Sequence, residues 1–359
     1  MSWRCARPAP LAWLLPQGAS LPPVLVLTRS QVEELLDLDA LIDALAAAMA
    51  DLSAGRASVP DRVGAMVPER DGLLAAMPGF VPSCGVLATK LVSLFPRNAG
   101  TALPTHQAVI VVFDADTGRP AALLDGTAIT AARTGACSAL SARLLARQDA
   151  TVLAILGTGV QARSHAVAMC RVRAIREIRV AGRDPAKAAA LADELSDALS
   201  DALSASGGPS VRAVPAYPDA LDGADIACAC THAAEPVVRR EWLTPGVHVT
   251  SVGYNAAGRE VDDATVAAAL VCVESRRAAL APYPAGTNDL LQPIRDGVIT
   301  AEHLHAELGE LLAGTRPGRA TDDQITLYKS VGVAVQDAAA AAIVLAAARR
   351  TGVGQQIDV

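Results

Sequence analysis

Lysine is nearly absent from this chain of 359 residues, which carries almost all of its positive charge on arginine. The sequence contains only Lys90, Lys187 and Lys329. A guanidinium group keeps its charge in proteins, whereas burial and neighbouring charges can change the pKa of a lysine amine. Each retained lysine is therefore a candidate functional residue.

Several other features are scarce, and each absence argues against a class of protein. The net charge is -6 and no basic patch is interleaved with aromatic residues, which argues against a nucleic-acid partner. The seven cysteines form no Cys-x-x-Cys pair, a pattern that fits a reducing cytoplasm better than a disulfide framework. The histidines lack metal-ligand spacing, so we expect no metal site. With 52% hydrophobic and 19% charged residues, the composition is typical of a globular cytoplasmic protein outside the membrane.

The N-terminal region differs from the rest of the chain. Residues 1–23 are rich in Pro, and their apolar segment Leu11–Leu15 is too short and too Pro-bounded for a signal peptide or a membrane span. We interpret residues 1–23 as an extension that is disordered and lies outside the fold.

The stretch that begins at Thr151 carries the clearest functional signal. Apolar strand residues run into Gly157-Thr-Gly159-Val-Gln-Ala162, and an amphipathic helix follows. This arrangement is typical of a dinucleotide-binding βαβ unit. Gly157 permits the tight turn, Gly159 lets backbone N–H groups approach a pyrophosphate at the helix N-terminus, and Ala162 lets helix and strand pack closely. The alternative is a glycine-rich turn in an α/β domain that binds no nucleotide.

Strands and helices alternate from Thr151 to about Glu274, which predicts a doubly wound parallel sheet in an α/β fold. The preceding part of the chain has several strand-like runs. They predict a mostly antiparallel sheet over residues 61–67, 72–77, 85–93, 108–114 and 120–125. The sequence therefore predicts two structural units, of which the second binds the nucleotide.

The predicted helices begin with a capping box, Ser30-Gln-Val-Glu33, which opens a helix that continues to about Ser53. A helix over residues 127–147 leads into the parallel sheet. Towards the C-terminus we expect a short helix over 302–312 and a long Ala-rich helix over 327–350. The last helix is apolar on nearly all sides, so it must pack on the first unit or on another subunit.

Three cations in or next to the first unit are candidate site residues. Arg62 and Lys90 lie within strand-like runs, and Arg133 lies in a helix that is otherwise small and apolar. A guanidinium on such a face usually has an anionic partner, and two arginines suit a substrate carboxylate. A lysine beside them could act as an acid or stabilise a developing charge. For Arg62 the alternative is a solvated surface charge.

Two further positions concern the ligands. Where an Asp or Glu would bind the ribose of NAD, the sequence has Gly182-Arg183-Asp184. Arg183 could hold a 2′-phosphate, which favours NADPH, whereas Asp184 leaves NADH as the alternative. His106, at a strand start, is the histidine best placed for a polar site residue, and the alternative is a hydrogen-bonded structural side chain.

From about Val24 to the C-terminus the chain resembles the ornithine cyclodeaminase/mu-crystallin family. The motifs that carry the resemblance are, in order, Thr89-Lys-Leu-Val92, Leu103-Pro-Thr-His-Gln-Ala108, Leu124-Asp-Gly126 followed by Arg133-Thr134, Gly157-Thr-Gly-Val-Gln-Ala162, Val252-Gly253 ahead of Arg259-Glu260, Glu307-Leu-Gly-Glu310, and Thr326-Leu-Tyr-Lys-Ser-Val-Gly332 followed by Asp337. Each motif is modest alone, but their order and spacing are specific.

The resemblance implies a Rossmann NAD(P)-binding domain over residues 131–320. It implies a second, α+β domain for substrate binding and oligomerisation, formed by residues 24–130 and completed by the C-terminal helix within 321–359. Family members are commonly homodimers, so we expect a homodimer or a higher homo-oligomer. They transfer hydride between NAD(P) and the carbon that bears an amino or imino group next to a carboxylate.

The matching positions also imply site residues. The substrate carboxylate would be surrounded by the catalytic residues Arg62, Lys90 and Arg133, and the substrate site would also include Met77, His106 and Asn255. The cofactor-binding residues would be Gly157, Gly159, Val160, Gln161 and Ala162 at the pyrophosphate, Gly182 and Arg183 after the second strand, Thr231, Val252 and Ser330 near the ribose and nicotinamide, and Thr134 and Gly253.

Two departures separate the chain from the cyclodeaminases of this family. Those enzymes carry a Glu where this chain has Ala75 and an Asp where it has Asn255, and neither replacement can take a proton from a second amine. The resemblance therefore favours the ketimine and 1-pyrroline-2-carboxylate reductase branch. It implies NAD(P)H-dependent reduction of a cyclic ketimine, such as 1-pyrroline-2-carboxylate or 1-piperideine-2-carboxylate, to the L-amino acid. The alternatives are a cyclodeaminase or synthase, an alanine-dehydrogenase-like reaction on a 2-oxo acid and ammonia, and a non-catalytic NADPH-binding protein.

Overall fold

The computed structural model describes residues 22–202, 208–255, 257–282 and 285–358. The predicted extension over residues 1–23 lies almost entirely outside these ranges. The described part of the chain forms two β-sheets with helices packed on them. None of its helices is long and apolar enough to cross a membrane.

The described residues form fifteen strands and eleven α-helices, numbered along the chain. The strands are β1 (Val24–Leu27), β2 (Val63–Val67), β3 (Gly72–Val81), β4 (Val86–Leu94), β5 (His106–Phe113), β6 (Pro120–Asp125), β7 (Val152–Leu156), β8 (Glu177–Ala181), β9 (Ser210–Ala213), β10 (Ile226–Ala229), β11 (His248–Ser251), β12 (Leu270–Val273), β13 (Leu304–Glu307), β14 (Thr326–Lys329) and β15 (Gln355–Ile357). The helices are α1 (Arg29–Leu35), α2 (Leu38–Ser53), α3 (Gly126–Leu145), α4 (Val160–Val172), α5 (Pro185–Ala202), α6 (Tyr217–Leu221), α7 (Asp263–Ala268), α8 (Arg276–Ala279), α9 (Asn288–Arg295), α10 (Leu308–Leu312) and α11 (Ala334–Thr351).

The first sheet has seven strands in the order β15-β1-β6-β5-β4-β3-β2. All neighbouring strands are antiparallel except β1 and β6, so the prediction of a mostly antiparallel sheet is confirmed. Along β4, the residues Ala88, Lys90 and Val92 are buried and alternate with the less buried Thr89 and Leu91. Because successive side chains of a strand point to opposite faces, Lys90 lies on the inner face of the sheet.

Helices α2, α3 and α11 cover that inner face. Helix α11 is buried along most of its length, as its apolar sequence requires, and it packs on β3 and β4. A Cβ at Gly79 would lie 3.2 Å from the Cβ of Ala334, so this glycine lets α11 approach the sheet closely. Of the two expected partners of the last helix, the first unit or another subunit, the first unit is the one on which it packs in this chain.

The second sheet has eight strands, all parallel, in the order β13-β12-β14-β11-β10-β7-β8-β9. The predicted doubly wound sheet is therefore confirmed. The strand order reverses between β7 and β10, since β8 and β9 follow on one side and β10 and β11 on the other. In open parallel sheets, ligands bind at the carboxyl ends of the strands next to such a reversal.

The helix predicted over 327–350 is wrong in its first part. Thr326–Lys329 is β14, which pairs with β11 and β12 in the middle of the second sheet. A short apolar run can be a buried strand or part of a helix, and periodicity does not distinguish the two. Within the segment 321–359, β14 therefore pairs in the second sheet, whereas α11 and β15 lie with the first. The predicted domain boundaries at residues 130 and 320 stay a prediction.

Two other predicted helices also differ from the structure. Residues 302–312 form the edge strand β13 before the short helix α10. The helix predicted from Ser30 to Ser53 is divided into α1 and α2, because Asp37 accepts a hydrogen bond from the N–H of Ala40 at 2.9 Å and caps a new helix. The first cap also lies two residues earlier than predicted, at Thr28, which donates its N–H to Gln31 Oε1.

Candidate active site

Lys90 and Arg133 meet at a shared carboxylate, that of Asp337. Lys90 projects from β4 and Arg133 from the second turn of α3, and both are almost fully buried. Lys90 Nζ lies 2.8 Å from Asp337 Oδ2, and Arg133 Nε lies 3.2 Å from Asp337 Oδ1. Arg133 Nη1 also donates to Gln336 Oε1 at 2.6 Å. The first turn of α11 thus fixes both cations, and it is 204 residues from Arg133 along the chain.

Arg62 reaches the same place from the segment before β2. Its Nη2 donates to the carbonyl oxygens of Gly332 at 2.9 Å and Val331 at 3.3 Å. Gly332 also faces the guanidinium of Arg133, since a Cβ added to it would lie 3.0 Å from Arg133 Nη1. The structure therefore brings the predicted residues Arg62, Lys90 and Arg133 together.

The buried carboxylate of Glu274 binds the segment that connects β14 to α11, which contains Gly332. It accepts hydrogen bonds from the Ser330 hydroxyl and from the backbone N–H groups of Val331 and Gly332, the latter at 3.1 Å. Three cations thus face two carboxylates, Asp337 and Glu274. Because uncompensated buried charge is costly, this excess of positive charge suits an anionic ligand.

The protonation of these groups follows from burial and from their mutual repulsion. Burial lowers the pKa of Lys90 to about 8, against the opposing effect of Asp337, and Arg133 lowers it further. Burial and then the Arg133 charge lower the pKa of Arg62. Burial would raise the pKa of Asp337, but Lys90 and Arg133 hold it below its ordinary value. Asp337 is therefore an anion at neutral pH. Lys90 is mostly protonated at neutral pH, but its pKa of about 8 lies only slightly above it.

A cleft of about 730 Å³ opens at the carboxyl ends of β7, β8 and β10. The predicted residues that line it are His106, Gly157, Gly159, Val160, Gln161, Gly182, Arg183 and Thr231. Burial, followed by the charges of Lys90 and Arg133, lowers the pKa of His106 to about 4. The His106 side chain in the cleft is therefore near enough to Lys90 and Arg133 for their charges to affect its pKa.

The glycines of the cleft have the geometry that the sequence predicts. Gly157 has φ +122° and a Cβ there would lie 2.5 Å from the carbonyl oxygen of Cys230, so only glycine fits. Gly159 caps α4, and a Cβ on it would meet nothing within 4 Å. The first N–H groups of α4 therefore face open space that could hold an anion. Ala162 is fully buried against the core, as expected for close helix packing.

A smaller chamber of about 250 Å³ lies beside Arg62. Met77 lines it and is the cross-strand partner of Lys90 on the inner face of the first sheet. Most of its other walls are apolar, and they include Leu52, Val59, Pro60, Ala278, Val333 and Ala334. Arg62 thus lines the apolar chamber, whereas α3, the helix that carries Arg133, contributes Thr127 and Ala131 to the lining of the large cleft.

The profile of the ornithine cyclodeaminase/mu-crystallin family matches residues 24–352. This chain belongs to that family. It is 34% identical to a Delta(1)-pyrroline-2-carboxylate reductase of Bacillus cereus, over 93% of this chain and 100% of the relative. It is also 34% identical to the ketimine reductase mu-crystallin of Mus musculus, over 85% of this chain and 90% of the relative.

Two solved structures match this chain over nearly its whole length. The Thermococcus litoralis Delta(1)-pyrroline-2-carboxylate reductase, in complex with NADH and L-proline, superposes with a TM-score of 0.87 at 37% identity and covers 93% of this chain and 100% of its own. An archaeal alanine dehydrogenase dimer with bound NAD superposes with a TM-score of 0.83 at 30% identity, over 93% and 98% of the two chains. The resemblance and the α/β fold class that it implied are confirmed.

In this family member, five of the predicted cofactor-binding residues do not line the large cleft. Thr134 donates its hydroxyl to the carbonyl of Thr130, Ser330 donates to Glu274, and Gly253 donates its N–H to Glu260. Ala162 and Val252 are likewise not lining residues of the cleft. Their predicted roles stay predictions.

Asn255 lies in a loop next to the cleft rather than on its lining. Its Nδ2 donates to the carbonyl of His232 at 3.3 Å, and its Oδ1 accepts from the N–H groups of Ala257 and Gly258. The side chain therefore shapes a turn beside a residue that lines the cleft. Its predicted contact with substrate stays a prediction.

Sequence reasoning missed the carboxylates that organise the site: Asp337, Glu274, Glu260 and Asp289. Asp337 and Glu260 were noted only as parts of family motifs. For Lys329, the scarcity of lysine in the chain was the available signal. Lys329 is fully buried, and its Nζ lies 2.9 Å from Asp289 Oδ2. Among the described residues, no group of His, Cys, Asp or Glu is arranged to hold a metal ion.

Proposed function

We propose that this protein reduces the C=N bond of a cyclic ketimine of a 2-oxo acid with NAD(P)H, giving the L-amino acid. The expected substrates are 1-pyrroline-2-carboxylate and 1-piperideine-2-carboxylate. One observation carries the proposal: Arg62, Lys90 and Arg133 lie together, and the helix that carries Arg133 also lines a cleft whose backbone suits a dinucleotide. The relatives support it, because they are named as reductases of Delta(1)-pyrroline-2-carboxylate and of ketimines.

The cations would bind the substrate through its carboxylate. Arg62 and Arg133 offer planar arrays of N–H donors, which suit a carboxylate better than a single ammonium does. Both guanidinium groups are already held by fixed acceptors, Gly332 O for Arg62 and Asp337 for Arg133. Little side-chain entropy remains to be lost on binding, and positioning of this kind contributes up to roughly 7–11 kcal/mol to a rate.

The residues of the large cleft fit a dinucleotide. The open space over Gly159 and the N-terminus of α4 would receive the pyrophosphate. When bound, NAD(P)H supplies the hydride that reduces the imine carbon. The solved relatives with NADH and with NAD support this assignment.

The choice between NADPH and NADH depends on the cleft beyond β8. Arg183 and Lys187 both line it and would attract a 2′-phosphate. Asp184 also lines it, but its Oδ1 accepts from the N–H of Ala186 at 3.0 Å and so is engaged in capping α5. We therefore propose NADPH as the preferred cofactor, with NADH as the alternative.

Lys90 is the group that we assign to hold the proton for the substrate nitrogen. An ammonium with a pKa of about 8 is largely protonated at neutral pH and releases its proton more readily than an ordinary lysine does. His106, with a pKa of about 4, is neutral under the same conditions. It can therefore orient a ligand by hydrogen bonding but is not a proton reservoir.

The apolar chamber beside Arg62 would receive the ring of the substrate. Besides Arg62, its charged lining residues are Asp61 and Arg277, which pair with each other at 3.4 Å and are mostly exposed. On the adjacent sheet face, Ala75 is buried and offers no acceptor for a second amine. These walls favour an uncharged ring over the cationic side chain of ornithine or lysine.

The test is a substrate panel followed by the absorbance of the reduced nicotinamide. Purified protein is mixed with NADPH or NADH and with 1-pyrroline-2-carboxylate, 1-piperideine-2-carboxylate, or pyruvate with methylamine or ammonia. We expect the cyclic ketimines to give the highest kcat/KM. The proposal is refuted if no imine in the panel is reduced although the cofactor binds, and the result then indicates a non-catalytic NADPH-binding protein.

An alanine-dehydrogenase-like activity is the second candidate, because the archaeal alanine dehydrogenase is 30% identical to this chain. It predicts that pyruvate with ammonia is the best pair in the panel. A cyclodeaminase would instead consume ornithine or lysine, release ammonia and leave the absorbance unchanged, since its cofactor is oxidised and reduced within one cycle. Ala75 and Asn255 disfavour that reaction.

We further propose that two copies associate through the outer face and free edge of the first sheet. On this outer face Leu74 is 49% exposed, Val109 is 41% exposed and Val63, on the edge strand β2, is 65% exposed. Clustered apolar exposure and an unpaired strand edge are typical of contact surfaces. The alanine dehydrogenase neighbour, described as a dimer, supports association into a dimer.

We also propose a cytoplasmic location. The six cysteines in the described part of the chain are all free thiols. Burial raises the pKa of Cys137 and Cys228 to about 12, so these thiols stay protonated and unreactive. Free, unpaired thiols are typical of a reducing compartment.

A further inference from the structure

A buried ion cluster lies under the carboxyl ends of the second sheet, outside the three cations of the substrate site. Lys329, at the end of β14, has no exposed surface. Its Nζ donates to Ser251 Oγ at 2.9 Å and to the carbonyl of Gly253 at 2.8 Å, and it pairs with Asp289 at 2.9 Å. The same ammonium lies 4.0 Å from the carboxylate of Glu260.

Glu260 is the centre of this cluster. Its Oε1 accepts the backbone N–H of Thr231 at 2.6 Å and the hydroxyl of Thr231 at 2.7 Å. Its Oε2 accepts the hydroxyl of Ser251 and the N–H of Gly253, each at 2.7 Å. A single carboxylate therefore holds the segment after β10 and the segment after β11.

Asp289 in turn holds Glu260. One of its oxygens accepts the N–H groups of Glu260 at 2.8 Å and Val261 at 2.9 Å, and the other accepts from Thr287 and Lys329. Both carboxylates are thus fully hydrogen-bonded, which is the condition under which buried charges are tolerated. The geometry around Gly253 is also tight, because a Cβ there would lie 2.3 Å from the Glu260 carboxyl carbon and from the Thr231 carbonyl oxygen.

The segments after β10 and β11, which Glu260 holds, indicate by their position which part of a ligand the cluster affects. Cys230, Thr231, His232 and Ala233 form the wall of the large cleft on the β10 side, whereas Gly182, Arg183 and Lys187 form it on the β8 side. The N-terminus of α4 lies between them. In a doubly wound sheet the two mononucleotide halves bind on opposite sides of the central strand, and the residues after β8 receive the adenosine. The nicotinamide riboside therefore falls on the side that Glu260 holds.

We propose that Glu260 is a positioning residue for the nicotinamide half of the dinucleotide. It acts by fixing the Thr231 and Gly253 segments, and Lys329 and Asp289 hold it in place. The proposal rests on the proposed function only in requiring that the cleft binds a dinucleotide. The adenosine half does not depend on Glu260, since the residues after β8 make no hydrogen bond to the cluster.

The test compares two ligands in the full-length Glu260→Gln variant. Glutamine keeps the size of the side chain, but its amide nitrogen cannot accept from the N–H groups that now meet the carboxylate. The reduced dinucleotide that the wild type prefers is titrated by fluorescence, and ADP, which lacks the nicotinamide riboside, is titrated by competition. We expect the Kd of the dinucleotide to rise by about tenfold or more, the scale of one lost hydrogen bond to a charged group. The Kd of ADP should stay within about twofold of the wild-type value, since a twofold change is only a fraction of that energy.

Glu307→Gln is the matched control. Glu307 is also a partly buried carboxylate, which accepts from Ser53 Oγ and the N–H of Arg276, each at 2.8 Å, away from the cleft. Its replacement should leave the ratio of the two Kd values unchanged. If Glu260→Gln fails to fold, Ser251→Ala removes one donor to Glu260 from a fully buried position, and it should raise the same ratio to a smaller extent.

Equal weakening of both ligands in Glu260→Gln would overturn the proposal, because the cluster would then stabilise the fold generally. An unchanged Kd for the dinucleotide would overturn it as well. Failure of the proposed function gives a different result: the wild type binds dinucleotide but reduces no imine, and the ratio of Kd values can still be measured.

Discussion

Asp337 lies between Lys90 and Arg133, with its two oxygens 2.8 Å and 3.2 Å from their nitrogens. Removing one partner of such a buried group leaves the others uncompensated, and losses of several kcal/mol are typical. Burial is the main cause of the lowered pKa of Lys90, and the same carboxylate limits how far that pKa falls. Substitutions at Asp337, Lys90 or Arg133 should therefore change both the free energy of unfolding and the rate of the reaction, and the two effects can be measured separately.

Replacing Lys90 or Arg133 by Met tests their assigned roles. We expect either change to lower kcat/KM for the cyclic ketimine by about 100-fold or more, the scale of general acid catalysis and of charge stabilisation. Steady-state kinetics measures the loss, and circular dichroism shows whether the variant is folded. Arg143→Met is the control, since Arg143 lies on the same helix in an exposed ion pair with Asp43. Near-normal rates in both site variants would refute the assignment.

The pH dependence of the reaction tests the proton on Lys90. If its ammonium supplies the proton, kcat/KM for imine reduction is constant at lower pH and falls as the pH rises through about 8. Asp337→Asn removes the negative charge that raises this pKa, so the alkaline limb should move to lower pH. A limb that stays in place or moves to higher pH would show that another group titrates. Asp43→Asn, at an exposed position, should leave the profile unchanged.

At the scale of secondary structure, the connection from β14 to α11 is the element on which the site depends. Its backbone turns at Gly332, where φ is +73°. Arg62 donates hydrogen bonds to the carbonyls of Val331 and Gly332, and Glu274 accepts hydrogen bonds from the N–H groups of the same two residues. A strand of the second sheet thereby leads directly into the helix that carries Asp337. The turn thus contacts Arg62 directly, and it leads into the helix whose Asp337 contacts Lys90 and Arg133.

Gly332→Ala tests the turn. A left-handed backbone costs an alanine about 1–2 kcal/mol, and the new Cβ would also lie 3.0 Å from Arg133 Nη1. We therefore expect both a lower melting temperature and a loss of activity. Gly352→Ala provides the comparison, because Gly352 has φ +72° with nothing within 4 Å of the added Cβ. It should lose similar stability and keep its activity, and equal activity in the two variants would contradict the role of Gly332.

At the scale of the whole molecule, two sheets share one site. Helix α3 packs on the first sheet and on α4 of the second unit, where a Cβ at Gly135 would meet the Ser164 hydroxyl. The first sheet supplies Lys90 and Met77, and the second supplies the nucleotide cleft. Apolar residues of the outer face of the first sheet, among them Leu74 and Val109, are exposed in the single chain, and the proposed assembly would cover them.

Leu74→Asp tests the proposed assembly. A buried aspartate without a partner is costly at an apolar interface, so we expect a shift from dimer to monomer in analytical ultracentrifugation. Val298→Asp is the control, since Val298 is 43% exposed in the second unit, away from the first sheet. A wild-type protein that is monomeric at all concentrations, or a Leu74→Asp variant that stays dimeric, would rule out this interface.

Local patterns in the sequence determined much of this protein. The nucleotide-binding turn depends on Gly157 and Gly159 within a few residues of chain, and its geometry is as predicted. The parallel sheet and the mostly antiparallel sheet follow from short-range periodicity. Arg62, Lys90 and Arg133 were identified because a cation in an apolar run is unusual, and because the family motifs include Lys90 and Arg133.

Only the tertiary structure decided how these parts meet. Arg133 and Asp337 are separated by 204 residues, and no local pattern encodes such a pairing. Thr326–Lys329 is a strand because β11 and β12 offer it hydrogen bonds on both sides, although its sequence alone is also compatible with a helix. Glu260 is an ordinary surface-type residue in the sequence. It is a buried acceptor because four donors surround it, two from Thr231, 29 residues away, and two from Ser251 and Gly253 at the end of another strand. Long-range contacts select among the options that local propensity leaves open, and they place the charges of this site.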